Sequence, residues 1–198
     1  MNKPFYAAAL MGLAAMPLTA NEADALQQRL AALSQFSAEF EQQAFDFDGQ
    51  LVQESQGLIA LQAPLRFAWE QSEPEPLTLV SDGEAVWYFD PFVEQVTVTP
   101  VEQALAQTPL ALISSQDSAL WAQWQVSKVD GCYQLVQKEQ PEITMGICFS
   151  GEAIESLTLT DAQGTKTVMS LKAFSDQPVA AERFVFEPAD GVFIDDQR

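Results

Sequence analysis

LVSDGEAVWYFDPFVEQVTV, Leu79 to Val98, is the stretch whose reading decides the fold. Short runs rich in β-branched and aromatic residues are cut by Asp82-Gly83 and again by Asp90-Pro91, the punctuation of tight turns between antiparallel strands. Asp82-Gly83 reads as a hairpin turn. The run AVWYFD presents either Ala85, Trp87 and Phe89 or Val86 and Tyr88 to a core, and period two alone leaves both open.

Working outward, the same grammar recurs. VQESQGLIALQ and LRFAWEQ precede the stretch, and QWQVSKV, CYQLVQK, ITMGICF, IESLTLTD, TKTVMSLKAF and RFVFEP follow it. About ten or eleven short antiparallel strands in one domain predict a barrel or a strongly curved sheet. Residues Asn21 to Leu33 instead place Leu26, Leu30 and Leu33 at helical spacing behind an Asn21 or Asp24 cap, which predicts an amphipathic helix. The segment from Ser34 to Gln50 is ambiguous: Phe36 and Phe40 continue the helical stripe, yet Phe36, Ala38 and Phe40 also alternate. Pro100 to Leu120, rich in alanine and leucine and interrupted by Pro109, predicts two short helices inserted between strands.

The first residues, MNKPFYAAALMGLAAMPLTA, set one lysine before an apolar run that closes on small residues. This is the pattern of an export signal cleaved after Ala20, leaving residues 21–198 as a single domain. The run falls short of the roughly 20 apolar residues of a spanning helix. Net charge is −19, and loss of the leader removes Lys3 but no acid. So acidic a surface repels phosphate backbones and excludes nucleic-acid binding.

Export places Cys132 and Cys148 in an oxidising compartment. If the loop Glu139-Gln140-Pro141-Glu142 is centred on Gln140, the two cysteines are equidistant from it and face each other across a hairpin, close enough to bridge. The alternative is a pair of reduced, buried thiols acting as small hydrophobes. The chain has no histidine, which removes the commonest general base and the usual zinc ligand. No metal site and no catalytic residue is expected. A carboxylate pair of the kind glycosidases use is the remaining catalytic option, but among 28 acids pairs such as Glu73/Glu75 or Asp195/Asp196 read as solvated surface.

Leu65, Phe67 and Trp69 share one face of their strand, and Met169, Leu171 and Ala173 oppose Val168, Ser170 and Lys172 on theirs. Such rows serve equally as a packed core or as the wall of an open apolar interior that holds a ligand.

The segments PLRFAWE, LVSDGEAVWYFDPFVEQVTV, TPLALI and the closing FVFEPADGVFIDDQR together resemble the LolA family of periplasmic outer-membrane lipoprotein carriers. The resemblance rests on Ser81, Asp82, Gly83, Trp87, Pro91 and Gln95 together with the terminal GVFIDDQR. It implies an unclosed antiparallel β-barrel of about eleven strands, with helices covering an apolar cavity. It also implies a monomeric periplasmic chaperone, without cofactor or enzymatic activity, that takes acylated lipoproteins from an inner-membrane ATP-driven releasing complex to an outer-membrane lipoprotein receptor. A lipid-sensing or regulatory domain of the same fold is the alternative. By resemblance, Phe67 and Trp69 match the inward aromatic strand and Leu112 and Ile113 the lid; Trp87, Phe89, Met169 and Leu171 complete the expected acyl contacts. Where the family carries an arginine that holds the lid closed, this chain has Ala63, and Arg66 is the candidate substitute.

Overall fold

The computed structural model describes residues 21–105, 109–114 and 117–198, of 109–111 the backbone alone; the expected leader, residues 1–20, lies outside the described residues. Helix α1 (Glu22–Ala32) begins where the Asn21 side chain accepts the Ala23 amide, satisfying one of the donors left open at a helix start. Its apolar stripe buries Leu26 and Leu30. The ambiguous segment that follows is strand: β1 (Gln35–Phe45) turns at Asp46, whose carboxylate accepts the amides of Asp48 and Gln50, with Gly49 at φ 78°.

Five strands follow as a meander: β2 (Leu51–Gln62), β3 (Arg66–Glu73), β4 (Leu77–Asp82), β5 (Ala85–Asp90) and β6 (Gln95–Pro100). Three short helices come next, where two were expected: α2 (Val101–Leu105), α3 (Pro109–Ser114) and α4 (Ser118–Trp121). Pro109 opens α3 rather than interrupting a helix, which suits a residue with no amide to donate. Then come β7 (Trp124–Val129), β8 (Cys132–Gln137), β9 (Thr144–Ser150), β10 (Ala153–Thr160) and β11 (Lys166–Ser175). A single turn of 3-10 helix spans Ala181–Phe184, and β12 (Phe193–Asp196) ends the described elements.

Among the described residues the twelve strands form one sheet in the order β12-β6-β5-β4-β3-β2-β1-β11-β10-β9-β8-β7, antiparallel except for β12, which lies parallel to β6. The terminal strands β12 and β7 do not pair, so the barrel is unclosed. The strand expected at RFVFEP is instead the 3-10 turn and irregular chain, while the closing VFIDD supplies the edge strand. The sheet curls strongly: Trp69 on β3 and Trp124 on β7, far apart in strand order, join one apolar cluster. The β8–β9 hairpin runs in the expected register, Tyr133 opposite Ile147, and Cys132 and Cys148 form a disulfide with Cα atoms 4.4 Å apart.

Candidate functional site

The inner face is built by period-two alternation on neighbouring strands. Phe36, Ala38 and Phe40 on β1 point inward; Phe40 stands opposite Leu171 on one side and Gly57 on the other. Ile59 faces Trp69, and Leu61 faces Phe67. Met169, beside Leu171 on the inner face, pairs with Leu157, which pairs in turn with Ile147. Gly57 contributes no side chain between Phe40 and Trp69, whose rings stack across it with centroids 3.8 Å apart. A Cβ at Gly57 would meet the Glu70 carbonyl oxygen at 2.0 Å, so the bulge there brings β2 and β3 closer than any other residue permits.

The helices cover this face. Leu26 and Leu30 of α1, Leu112 and Ile113 of α3, and Trp121 of α4 belong to the same cluster as Phe36, Phe40, Ile59 and Ile147. Leu112 is 1% exposed and Ile113 4%. Val101 and Leu105 of α2 close over Phe67 and Val86 in an adjoining cluster. The helices thus cover the apolar concavity as expected, and Leu112, Ile113 and Trp121 dip into it, since apolar walls left facing water would forfeit the free energy of burial. A cleft of about 270 Å³ runs between α1 and the lid, lined by Leu30, Ala31, Ala63, Ile113 and Trp121 among others.

Six of the expected contact residues come together here: Phe67, Trp69, Leu112, Ile113, Met169 and Leu171. Trp87 and Phe89 do not. They alternate to the outer face, where they pack with Ala85, Val96, Val98 and Phe186. The reason lies in the turn before them. The Asp82 carboxylate accepts the amides of Glu84 at 2.8 Å and Ala85 at 2.9 Å and the Trp87 indole N–H at 3.2 Å, which fixes Trp87 outward. Partial burial by itself would raise the Asp82 pKa, but those donors, with Arg198 nearby, outweigh it and hold the carboxyl below its usual 3.8.

Arg66 also falls outside the concavity. It alternates with Phe67 to the outer face and donates its Nε to the Asp82 backbone oxygen at 3.1 Å, beside Gly83. Its expected hold on the lid is corrected accordingly. A different arginine holds a cover: Arg29 of α1 donates from Nη2 to the Gly151 carbonyl in the β9–β10 turn, and its guanidinium carbon lies 3.9 Å from the centroid of the Phe149 ring. Sequence reasoning missed it, although a cation three residues from Leu26 and four from Leu33 sits on the apolar stripe itself, where a solvated charge has no place.

Chemically, the assembled surface is aliphatic and aromatic, and among the described residues no group of three or more potential metal ligands occurs. The surface can shelter apolar chains once the helices move, and it offers few directional contacts to retain them.

Comparison with known proteins agrees with this architecture. The profile of the family described as "Outer membrane lipoprotein carrier protein LolA" matches residues 31–187. An outer-membrane lipoprotein carrier protein of Shewanella loihica is 37% identical over 182 residues, 90% of this chain and 88% of the relative. Its counterpart in Aeromonas salmonicida is 33% identical over 202 residues, spanning 100% of both. Among solved structures, an uncharacterized conserved protein from Thermus thermophilus aligns with a TM-score of 0.57 at 12% identity, covering 89% of this chain and 99% of its own. A LolA superfamily protein from Nitrosomonas europaea aligns with a TM-score of 0.52 at 10% identity, over 83% and 97%. At these identities the two structures speak to the fold alone.

Proposed function

Because the chain belongs to the outer-membrane lipoprotein carrier family, we propose that it works as a periplasmic chaperone that binds the acyl chains of lipoproteins on the concave face of its sheet, beneath α1 and the α2–α4 lid. Carriage of this kind makes and breaks no covalent bond. In this reading the cargo is released from the inner membrane by an ATP-driven complex and handed to an outer-membrane receptor. The carrier acts as a monomer, exported by a leader cleaved after Ala20.

The observation that carries the binding proposal is the lid itself: a continuous apolar sheet face whose cover consists of short helical segments rather than strands of the sheet. Magnitudes favour exchange of cover for cargo. Each buried methylene is worth about 0.8 kcal/mol, so a sixteen-carbon chain gains about 12 kcal/mol on leaving water. A lid side chain such as Leu112 or Ile113 gains about 1.5–3 kcal/mol by its own burial. One acyl chain thus rivals the whole set of lid side chains, and two or three outweigh it. Flat rings such as Phe40 and Trp69 supply area with little directionality, which suits a load that must leave again.

The test is photo-crosslinking with benzoylphenylalanine in place of Trp69, and separately of Trp87, using a triacylated lipoprotein. Position 69 should capture the lipid moiety and position 87 should not. Equal capture at both positions, or capture at 87 alone, would overturn the assignment of the concave face.

A further inference from the structure

Where β5 turns through residues 91–94 into β6, four large apolar side chains stand in solvent. Phe92 is 69% exposed, Val93 65%, Phe193 66% and Ile194 46%. Their proximity is fixed by pairing, since the Phe193 amide donates to the Glu94 carbonyl at 3.0 Å and Phe193 stands opposite Gln95. Phe193 and Ile194, consecutive on β12, present their side chains to opposite faces, so both faces of this corner carry exposed apolar area, where single scattered residues would need no explanation.

The same corner carries an open backbone edge. The amides of Phe193 and Gln197 donate to the carbonyls of Glu94, just before β6, and of Val98 on β6, so strand alternation turns the amides of Ile194 and Asp196 away from the sheet. Among the described residues no strand pairs with β12 on that side. The edge is also held in place. Arg198 donates to both carboxylate oxygens of Asp196, at 2.9 and 2.6 Å, and its guanidinium lies 5.5 Å from the centroid of the Trp87 ring. A fixed edge loses little conformational freedom when a further strand joins it. Asp90, Glu94, Asp190 and Asp195 each lie within three sequence positions of one of these apolar residues, while Arg198 is engaged by Asp196.

We propose that this corner is a docking edge, at which an extended segment of a partner protein that alternates apolar side chains with lysine or arginine adds to β12 as a further strand. Main-chain hydrogen bonds to Ile194 and Asp196 set the register, Phe92, Val93, Phe193 and Ile194 supply apolar contact, and the neighbouring acids select a basic partner. The same acids oppose an anionic bilayer, and they oppose a second copy of this chain, whose matching edge would bring like charges together. The assignment deepens the carrier reading and rests on it only for the partner's role in giving or receiving cargo.

The experiment uses the mature protein with a synthetic peptide of alternating valine and lysine, followed by fluorescence polarisation and by hydrogen exchange at Ile194 and Asp196. Binding should protect both amides. Phe193→Asp and Phe92→Ser, both at exposed positions, should each weaken it about tenfold, and a valine–glutamate peptide should not bind. Absence of binding overturns the proposal, as does affinity unchanged in Phe193→Asp or protection along Val126–Val129 of β7 instead. Self-association through β12, or protection of these amides by phosphatidylethanolamine–phosphatidylglycerol vesicles rather than by peptide, would also reassign the surface. Uptake of a dansyl fatty acid is measured in parallel: its loss would count against acyl binding under the lid and leave the edge assignment to stand or fall on the peptide.

Discussion

Replacing Arg29 with methionine should loosen the cover and tighten the binding of cargo. Methionine keeps an apolar stem on α1 but removes the donor to Gly151 and the cation over Phe149. A hydrogen bond from a charged group contributes about 1.5–3 kcal/mol and a partly exposed cation–π contact about 0.5–1 kcal/mol. Against this, the Arg29 Nε is buried with no acceptor among the described residues, which returns about 1–3 kcal/mol of desolvation cost. The net is about 1 kcal/mol in favour of the closed arrangement. Its loss multiplies the open population about fivefold, since 1.4 kcal/mol is a factor of ten in an equilibrium constant. When the binding-competent state is a minor one, apparent affinity scales with its population, so a dansylated acyl probe should bind about five times more tightly to Arg29→Met. Hydrogen exchange along Glu22–Ala32 should accelerate by a similar factor while the β1–β2 ladder is unaffected. Probe affinity and α1 exchange both equal to those of the parent would refute the argument that this arginine holds the cover shut.

Other outcomes follow from the same geometry. Gly57→Ala should cost about 1–3 kcal/mol in urea unfolding, as overpacked positions do, and should disturb the Phe40–Trp69 stack, read as a change in tryptophan fluorescence. Asp82→Asn should lower the melting temperature at pH 7. Because the folded carboxyl titrates below its ordinary 3.8, its contribution is complete above that value and fades as pH falls through the depressed one; the gap between variant and parent should therefore narrow at pH 3. Serine at both Cys132 and Cys148 should destabilise the fold by about 3 kcal/mol, the chain-entropy value for a loop of this size, measured by urea titration without reductant.

Much of this architecture was legible because a meander writes itself locally. Asp82-Gly83 and Asp90-Pro91 mark turns between alternating runs, and a hairpin symmetric about Gln140 already set Cys132 against Cys148, leaving only their oxidation open. Illegible features depended on contacts distant in sequence. Phe36 and Phe40 satisfy both helical and strand spacing, and only pairing with β2 and β11 resolves them. Trp87 and Phe89 were indistinguishable from Val86 and Tyr88 by period, because β5 is apolar on both faces; the outer set is covered by Phe186 and Val192, arriving from the far end of the chain. β12 is short and half acidic, so it lacks a strand's apolar signature and exists because β6 offers it a ladder. Arg29 and Gly151 lie 122 residues apart, a separation over which no local pattern speaks.

The unjoined margins of the sheet bear on capacity. A closed barrel has a circumference set by its strand count and stagger, and widening it means breaking a rung of hydrogen bonds. Here a longitudinal seam separates β12 from β7, so the wall can spread or tighten by changing its curl while every rung stays intact. Loads of different girth can then be accommodated by one sequence, with the adjustment borne by twist and coil of the wall instead of by side-chain fit.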